Sequence, residues 1–213
     1  MGPPGVGKGT QAKILSKILN VTHLSTGEIL RNEIKMNTEI GKIAKSFIDH
    51  GNFVPDNIIL DIISEKISIK ISNKGYLFDG FPRTIPQANG FDKLLIEMGE
   101  DLNAAINLTA DENELIKRII DRGKSSGRSD EAIDIVKKRQ KIYWNQTAPL
   151  IDYYQKKNIL KNINGIGEIE EIVLVDTFYI DNEYYDYHDL FIIYFYQKIL
   201  SQQLVPWSSL AQI

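Results

Sequence analysis

Residues 2–10 read Gly2-Pro3-Pro4-Gly5-Val6-Gly7-Lys8-Gly9-Thr10, and the chain opens directly on them. The spacing from Gly2 to Gly7-Lys8 is the G-x-x-x-x-G-K of a phosphate-binding loop. Such a loop works because successive backbone N–H groups turn inward and the following helix presents its positive end. Glycines let the backbone approach phosphate oxygens closely, and Lys8 adds a point charge. The hydroxyl that usually follows the lysine is displaced by one: Gly9 comes first and Thr10 second. A second chemical segment is Asp79-Gly80-Phe81-Pro82-Arg83, at the end of a short apolar run. Ligands of open α/β sheets bind beyond the carboxyl ends of strands. A guanidinium placed there offers a rigid fork for phosphate.

The remaining residue types exclude several alternatives. The 213 residues contain no cysteine, so disulfides and thiolate metal sites are ruled out. His23, His50 and His188 share no metal-ligand spacing. The net charge of −3 gives no general attraction to nucleic acid or an anionic membrane. Any anion must therefore be held by a local cluster. The first residues carry no charged region followed by an apolar core, as a signal peptide would, which makes the cytoplasm the default location.

The elements that must position these groups follow from periodicity. Ile14, Leu15, Ile18 and Leu19 share one face of a helix over residues 10–20. Residues 21–25, 76–81, 104–109 and 159–163 read as short strands, the second of them buried. Helices are predicted over 28–35, 40–50, 55–69, 85–98 and 111–121, with a polar loop at 123–127 and one or two helices over 131–157, interrupted near Pro149. Helices alternating with short apolar strands predict an α/β fold, a doubly wound parallel sheet with helices on both faces. The character changes after residue 173, where an aromatic-rich tail begins. Its apolar run, residues 190–196, is far shorter than the ~20 residues of a membrane span.

Taken together, the motifs carry a resemblance. Gly2–Thr10 with its Gly-Lys-Gly-Thr ending resembles the phosphate loop of adenylate kinases. Leu24-Ser25-Thr26-Gly27-Glu28-Ile29-Leu30-Arg31 resembles that family's first monophosphate-binding motif. Asp79–Arg83 with Thr84-Ile85-Pro86-Gln87-Ala88 resembles its signature segment. Arg118, Arg122, Gly127-Arg128-Ser129-Asp130 and Arg139 resemble its lid-flanking arginines, and the segment from Trp144 to Tyr154 continues the match. The similarity covers residues 2 to about 172.

The resemblance implies reversible phosphoryl transfer from ATP to AMP, with Mg²⁺ carried by ATP, and a monomer with no nucleic-acid or membrane partner. It implies ATP binding by Gly5, Val6, Gly7, Lys8, Gly9, Thr10, Arg118 and Gly167. AMP would be bound by Thr26, Arg31, Phe53, Val54, Gly80, Arg83, Gln87, Arg128 and Arg139, with Gln87 on the adenine edge. Lys8, Arg83, Arg122, Arg128 and Arg139 would surround the transferred phosphoryl group, with Asp130 orienting the arginines. Asp79 would hold Mg²⁺ through water rather than directly. Thr26 and the Pro86-Gln87 pair resemble adenine-accepting members. The lid, about residues 122–129, is the short form with no zinc site. With the monophosphate-binding segment, about 25–54, it is expected to close over the substrates.

Two features depart from the family pattern. The family's phosphate loop follows a central strand, and here Met1 stands at that strand's last position, so two flanking strands are expected to carry unpaired edges. Residues 173–213 lie beyond the kinase-like domain of residues 1–172. Two alternatives to an active kinase therefore stay open here: a nucleotide-binding remnant without activity, and a tail-mediated interaction or membrane-surface module on a decayed kinase domain.

Overall fold

The computed structural model describes residues 1–69, 75–126, 132–169 and 171–172. Arg128 and Asp130, much of the expected lid and the tail 173–213 lie outside the described residues.

Helix α1 (Lys8–Leu19) starts from Gly7, whose φ of 99° only glycine adopts readily, and stops at Asn20 in the left-handed region. Strand β1 (Thr22–Ser25) leads into α2 (Thr26–Lys35). Helix α3 (Glu39–Ile48) is capped by Thr38, whose hydroxyl accepts from the Gly41 amide at 3.0 Å. The two helices pack so closely that a Cβ at Gly41 would lie 2.1 Å from the Glu33 carbonyl oxygen. Helix α4 (Asp56–Ser68) buries Ile59, Ile62, Ile63 and Ile67, which share one face. Strand β2 (Tyr76–Asp79) follows, then α5 (Ile85–Met98), capped by Thr84 and ended by Gly99 at φ 71°. The chain continues through β3 (Ala105–Thr109), α6 (Glu112–Ser126), α7 (Ile133–Ile142), a π-helical turn (Tyr143–Thr147), α8 (Pro149–Lys156) and β4 (Leu160–Asn164).

The order of elements agrees with the α/β expectation, and the strand pairs are parallel. The sheet itself is divided: β1 pairs with β2 and β3 with β4, as two separate two-stranded ladders among the described residues. Met1 extends the second ladder. Its amino group donates to the Ile106 carbonyl, and its carbonyl accepts from Leu108 N–H at 3.0 Å. The expected unpaired edges are therefore present on β2 and on most of β3.

The core is divided in the same way. One cluster gathers Leu24, Leu30, Val54, the α4 isoleucines, Phe81 and Phe91 beneath β1 and β2. Two others lie with β3 and β4, around Val6, Leu108, Leu115 and Ile163, and around Ala88, Ala105, Leu150 and Tyr154. Ile63 is fully buried at 0 % exposure in the first cluster. Ile63→Ala is expected to cost about 2–5 kcal/mol, through lost transfer energy and the cavity left behind. Urea unfolding measures this, and a loss below about 1 kcal/mol contradicts the packing described.

Two local expectations need correction. Residues 123–126 are not loop: α6 runs through Ser126. The Asp111 carboxylate accepts from Asn113 N–H at 2.9 Å and secures the first turn. Elongation then carries the helix across Gly123 at a cost of only about 1 kcal/mol. Strand β2 is also not fully buried, since all four residues are partly exposed. Among the described residues β2 pairs with β1 alone, which leaves its other edge accessible.

Candidate functional site

The ends of β1 and β2, the loop Gly2–Gly7 and the start of α1 meet around one cavity of about 710 Å³. Its wall includes Gly5, Gly7, Lys8, Gly9 and Thr10 from the phosphate loop, and Thr26 and Arg31 from α2. Phe53, Val54, Asp79, Gly80, Arg83 and Gln87 line it too, as do Arg122 from α6 and Arg139 from α7. Residues 131 positions apart in sequence thus face one space: Lys8 and Arg139. Val6 is not on this wall; it is buried at 2 % exposure and anchors the loop in the second core cluster.

Lys8 is held inside the loop it belongs to. Its ammonium donates to the Gly2 carbonyl at 2.7 Å and to the Pro3 carbonyl at 2.8 Å. Burial pushes its pKa down to about 7; Asp79 opposes that shift, and Arg83, Arg139 and Arg122 add to it. The mutual influence of these cations reports how closely the positive charge converges. The loop is braced from outside by Gln140, whose side-chain amide donates to the Pro4 carbonyl at 3.2 Å.

Asp79 closes β2 beside the loop. A Cβ on Gly9 would lie 3.4 Å from Asp79 Oδ2, so the glycine after Lys8 leaves this approach open. Ser25 Oγ donates to the same carboxylate oxygen at 3.1 Å, and His23 Nε2 lies 3.7 Å from it. Gly80 turns the chain at φ 74°, where a Cβ would sit 2.9 Å from Arg83 Nη2 and 3.2 Å from Thr26 Oγ1. Thr26 Oγ1 donates to the Gly80 carbonyl at 2.8 Å and joins α2 to this turn.

Arg83 is fixed on several sides. Its Nε donates to the Gly80 carbonyl at 2.7 Å, and its guanidinium lies 5.3 Å from the centre of the Phe53 ring. Its backbone N–H donates to Gln87 Oε1 at 2.7 Å, and its carbonyl accepts from Thr147 Oγ1 at 2.8 Å. Gln87 is buried, and its amide nitrogen donates to Asp56 Oδ1 at 2.8 Å, which also accepts from Thr84 Oγ1 at 3.0 Å. Both ends of the Gln87 amide thus have protein partners. Asp56, Thr147 and Gln140 were missed as site residues by sequence reasoning. Asp56 carried a signal only as a helix start.

Arg118 and Gly167 are not on the cavity wall. Arg118 donates through Nε to Glu114 at 2.8 Å and through Nη1 to the Gly165 carbonyl at 3.1 Å. It therefore stands beside the loop that carries Gly167, which has φ 141°. A Cβ on Gly165 would lie 2.8 Å from Val6 Cγ2, so this loop abuts the phosphate loop. Arg118 and Gly167 form a flank of the cradle rather than part of the cleft.

Among the described residues no group of three or more His, Cys, Asp or Glu could hold a metal ion by protein ligands alone. No helix among them is long and apolar enough to cross a membrane.

A glycine loop, a half-buried lysine, a strand-end aspartate and arginines from four helices or turns stand around one cleft. The adenylate kinase family model matches residues 1–159. The chain belongs to the adenylate kinase family. An adenylate kinase of Parabacteroides distasonis is 49% identical over 171 residues, spanning 80% of this chain and 90% of that one. One from Porphyromonas gingivalis is 47% identical over 173 residues, 81% of this chain and 89% of the relative. One from Stenotrophomonas maltophilia is 42% identical over 172 residues, covering 81% and 92%.

Proposed function

We infer that this chain transfers the terminal phosphoryl group of ATP to AMP, reversibly, giving two ADP. The observation that carries this is the convergence of Lys8, Arg83, Arg122 and Arg139 on the cleft that also contains Thr26, Phe53, Val54 and Gln87. Phosphoryl transfer needs little covalent help. It needs two phosphate chains held in line and positive charge around the group in flight.

On this reading, the amides of Gly5–Thr10 and the N-terminus of α1 hold the donor's phosphates, with Arg118 and Gly167 on the donor side. Thr26, Arg31 and Gly80 hold the acceptor phosphate, while Phe53, Val54 and Gln87 flank its base. Arg83 and Arg139 reach both chains, and Arg122 and Arg128 close on the transferred group. Gln87 would meet adenine from a preset orientation, since Asp56 and the Arg83 amide hold its side chain.

Mg²⁺ arrives with ATP, and the donors present fit it. Asp79 supplies a hard oxygen anion beside Gly9. Its neighbour Ser25 keeps that carboxylate oriented. When bound, the ion neutralises developing charge on the phosphate oxygens; Asp79 would hold it through water, and no zinc is involved. The domain assignment belongs to the same reading: residues 1–172 are the kinase, with the monophosphate segment about 25–54 and the lid about 122–129, and 173–213 are a tail outside the match. So does a cytoplasmic monomer. The gathering of Lys8, Arg83, Arg122 and Arg139 on one cleft favours this over the inactive remnant.

A coupled assay tests the proposal. Purified chain with ATP, Mg²⁺ and AMP is expected to form ADP, with AMP preferred over CMP and UMP. Nucleotide binding without turnover sinks the kinase reading, and a pyrimidine preference sinks the role given to Thr26 and Gln87.

A further inference from the structure

The buried side of α7 and of the turn after it presents Val136, Gln140 and Tyr143 at helical spacing. An apolar residue would suit the middle position, yet a glutamine stands there, only 4 % exposed. Its Nε2 donates to the Pro4 carbonyl at 3.2 Å, and its buried Oε1 has no partner among the described residues. Turning the amide over would set Oε1 against that carbonyl, acceptor against acceptor. A half-satisfied buried amide lowers stability, so the one bond it makes points to a use in the loop it reaches. We propose that Gln140 is a positioning residue for the donor nucleotide. It locks the Pro4–Gly5 peptide plane so that the Gly5 N–H faces the donor's phosphates. The identity of that ligand rests on the phosphoryl-transfer reading.

This plane is the one in the loop whose direction the backbone leaves open. The carbonyls of Gly2 and Pro3 turn to the Lys8 ammonium, at 2.7 and 2.8 Å. The Pro4 carbonyl turns instead to α7. The Pro4–Gly5 bond is trans, and the C=O and N–H of a planar trans peptide point in opposite directions. Holding the carbonyl on Gln140 therefore turns the Gly5 N–H away from that side chain, and Gly5 is on the cavity wall. Gly5 has φ 90°. Glycine adopts positive and negative φ about equally, so the plane can rotate through half a turn. The rotated plane would aim the Pro4 carbonyl, rather than an N–H, at an arriving phosphate. Packing nevertheless demands glycine here, because a Cβ would lie 2.7 Å from the Leu115 carbonyl oxygen and 2.9 Å from Ile119 Cγ1. The residue that fits against α6 thus cannot choose the orientation by itself, and Gln140 makes the choice.

The size of the effect follows from the bond. One neutral hydrogen bond shifts the balance between the two orientations by roughly three- to tenfold. Only one orientation binds phosphate, so the apparent affinity for ATP can fall by up to that factor when the bond is lost. Arg139 precedes Gln140 in α7 and lines the cavity. One helix therefore sets both an arginine and a loop amide at the cleft.

The test compares the full chain with Gln140→Leu and Gln140→Met, which keep the bulk of the side chain and remove its donor. In the nucleotide-free chain, NMR relaxation dispersion at the Gly5 amide reports rotation of the plane. It is expected to be weak in the wild type and strong in both variants. Calorimetric titration with ATP alone is expected to give a Kd about two- to tenfold weaker in the variants, with the Kd for AMP alone unchanged. The urea midpoint is expected to stay the same or rise, because neither variant buries an unpaired amide oxygen. A glutamine that only filled space would give another pattern: a lower midpoint, and no preference for the donor nucleotide. Dispersion at Gly5 unchanged in both variants overturns the proposal. So does equal weakening of ATP and AMP, or a lower urea midpoint with ATP affinity intact. The two readings fail separately. A wild-type chain that binds ATP but forms no ADP sinks the kinase reading and leaves the Gly5 measurements decisive here. Normal ATP affinity in both variants of an active kinase sinks this proposal alone.

Discussion

Arg83→Ala is expected to lower kcat/KM for ADP formation by roughly 10³- to 10⁵-fold, the range over which an arginine at transferring phosphate acts. The size follows from how rigidly the side chain is held. Its Nε is anchored on the Gly80 carbonyl, its face lies against Phe53, and its backbone is tied at both N–H and carbonyl by Gln87 and Thr147. Little reorganisation remains to be done when phosphates arrive, which is where electrostatic catalysis gains most. The conservative variant separates charge from shape. Arg83→Lys keeps the charge but loses the fork and the anchored Nε, so it should recover only a small part of the loss. Steady-state kinetics with each nucleotide varied should show the loss mainly in kcat, because the group is asked to act on the phosphoryl in flight. A loss smaller than tenfold, or one confined to the KM for AMP, would reduce Arg83 to an acceptor-binding residue.

What the sequence made legible was local. The loop Gly2–Thr10 declares itself because its chemistry depends on adjacent residues. Arg83 declares itself because a strand end and a turn precede it. Less visible were the groups that hold these in place. Asp56 meets Gln87 across 31 positions, Thr147 meets Arg83 across 64, and Gln140 meets Pro4 across 136. Each is an ordinary polar residue on its own helix or cap, and only the tertiary fold gives it a partner. The correction at residues 123–126 has the opposite origin. A Gly/Ser-rich stretch reads as loop by composition, yet the helix capped by Asp111 carries through it. The division of the sheet agrees with the unpaired strand edges expected from the sequence. The cavity it leaves, and the partly exposed β2, could not be sized from sequence because both depend on how far the two ladders stand apart.

The second large effect concerns Lys8. Lys8→Met is expected to reduce kcat by roughly 10²- to 10³-fold, the range for removing one preorganised charge from a transition state. A more specific consequence follows from its pKa of about 7, lowered by burial from an ordinary 10.5. In the nucleotide-free chain above pH 7, Lys8 is largely neutral. Triphosphate brings negative charge against it and restores the proton, so binding at pH 8 should take up close to one proton. Calorimetry in buffers of different ionisation heat measures that number, and Lys8→Met should abolish it. Between pH 7 and 10.5 the unfolded chain carries a proton on Lys8 that the folded chain does not. The unfolded state then binds more protons, so this residue makes folding stability rise with pH across that window. Below pH 7 the folded chain must bear a poorly solvated charge near Arg83, Arg122 and Arg139. Lys8→Met should therefore raise the thermal midpoint at pH 6 while it removes activity. A variant less stable at pH 6, or binding that takes up no proton at pH 8, would mean that the lysine keeps its charge in the folded chain. The Gly2 and Pro3 carbonyls would then compensate for its burial, and the cradle would be set for phosphate before any nucleotide enters.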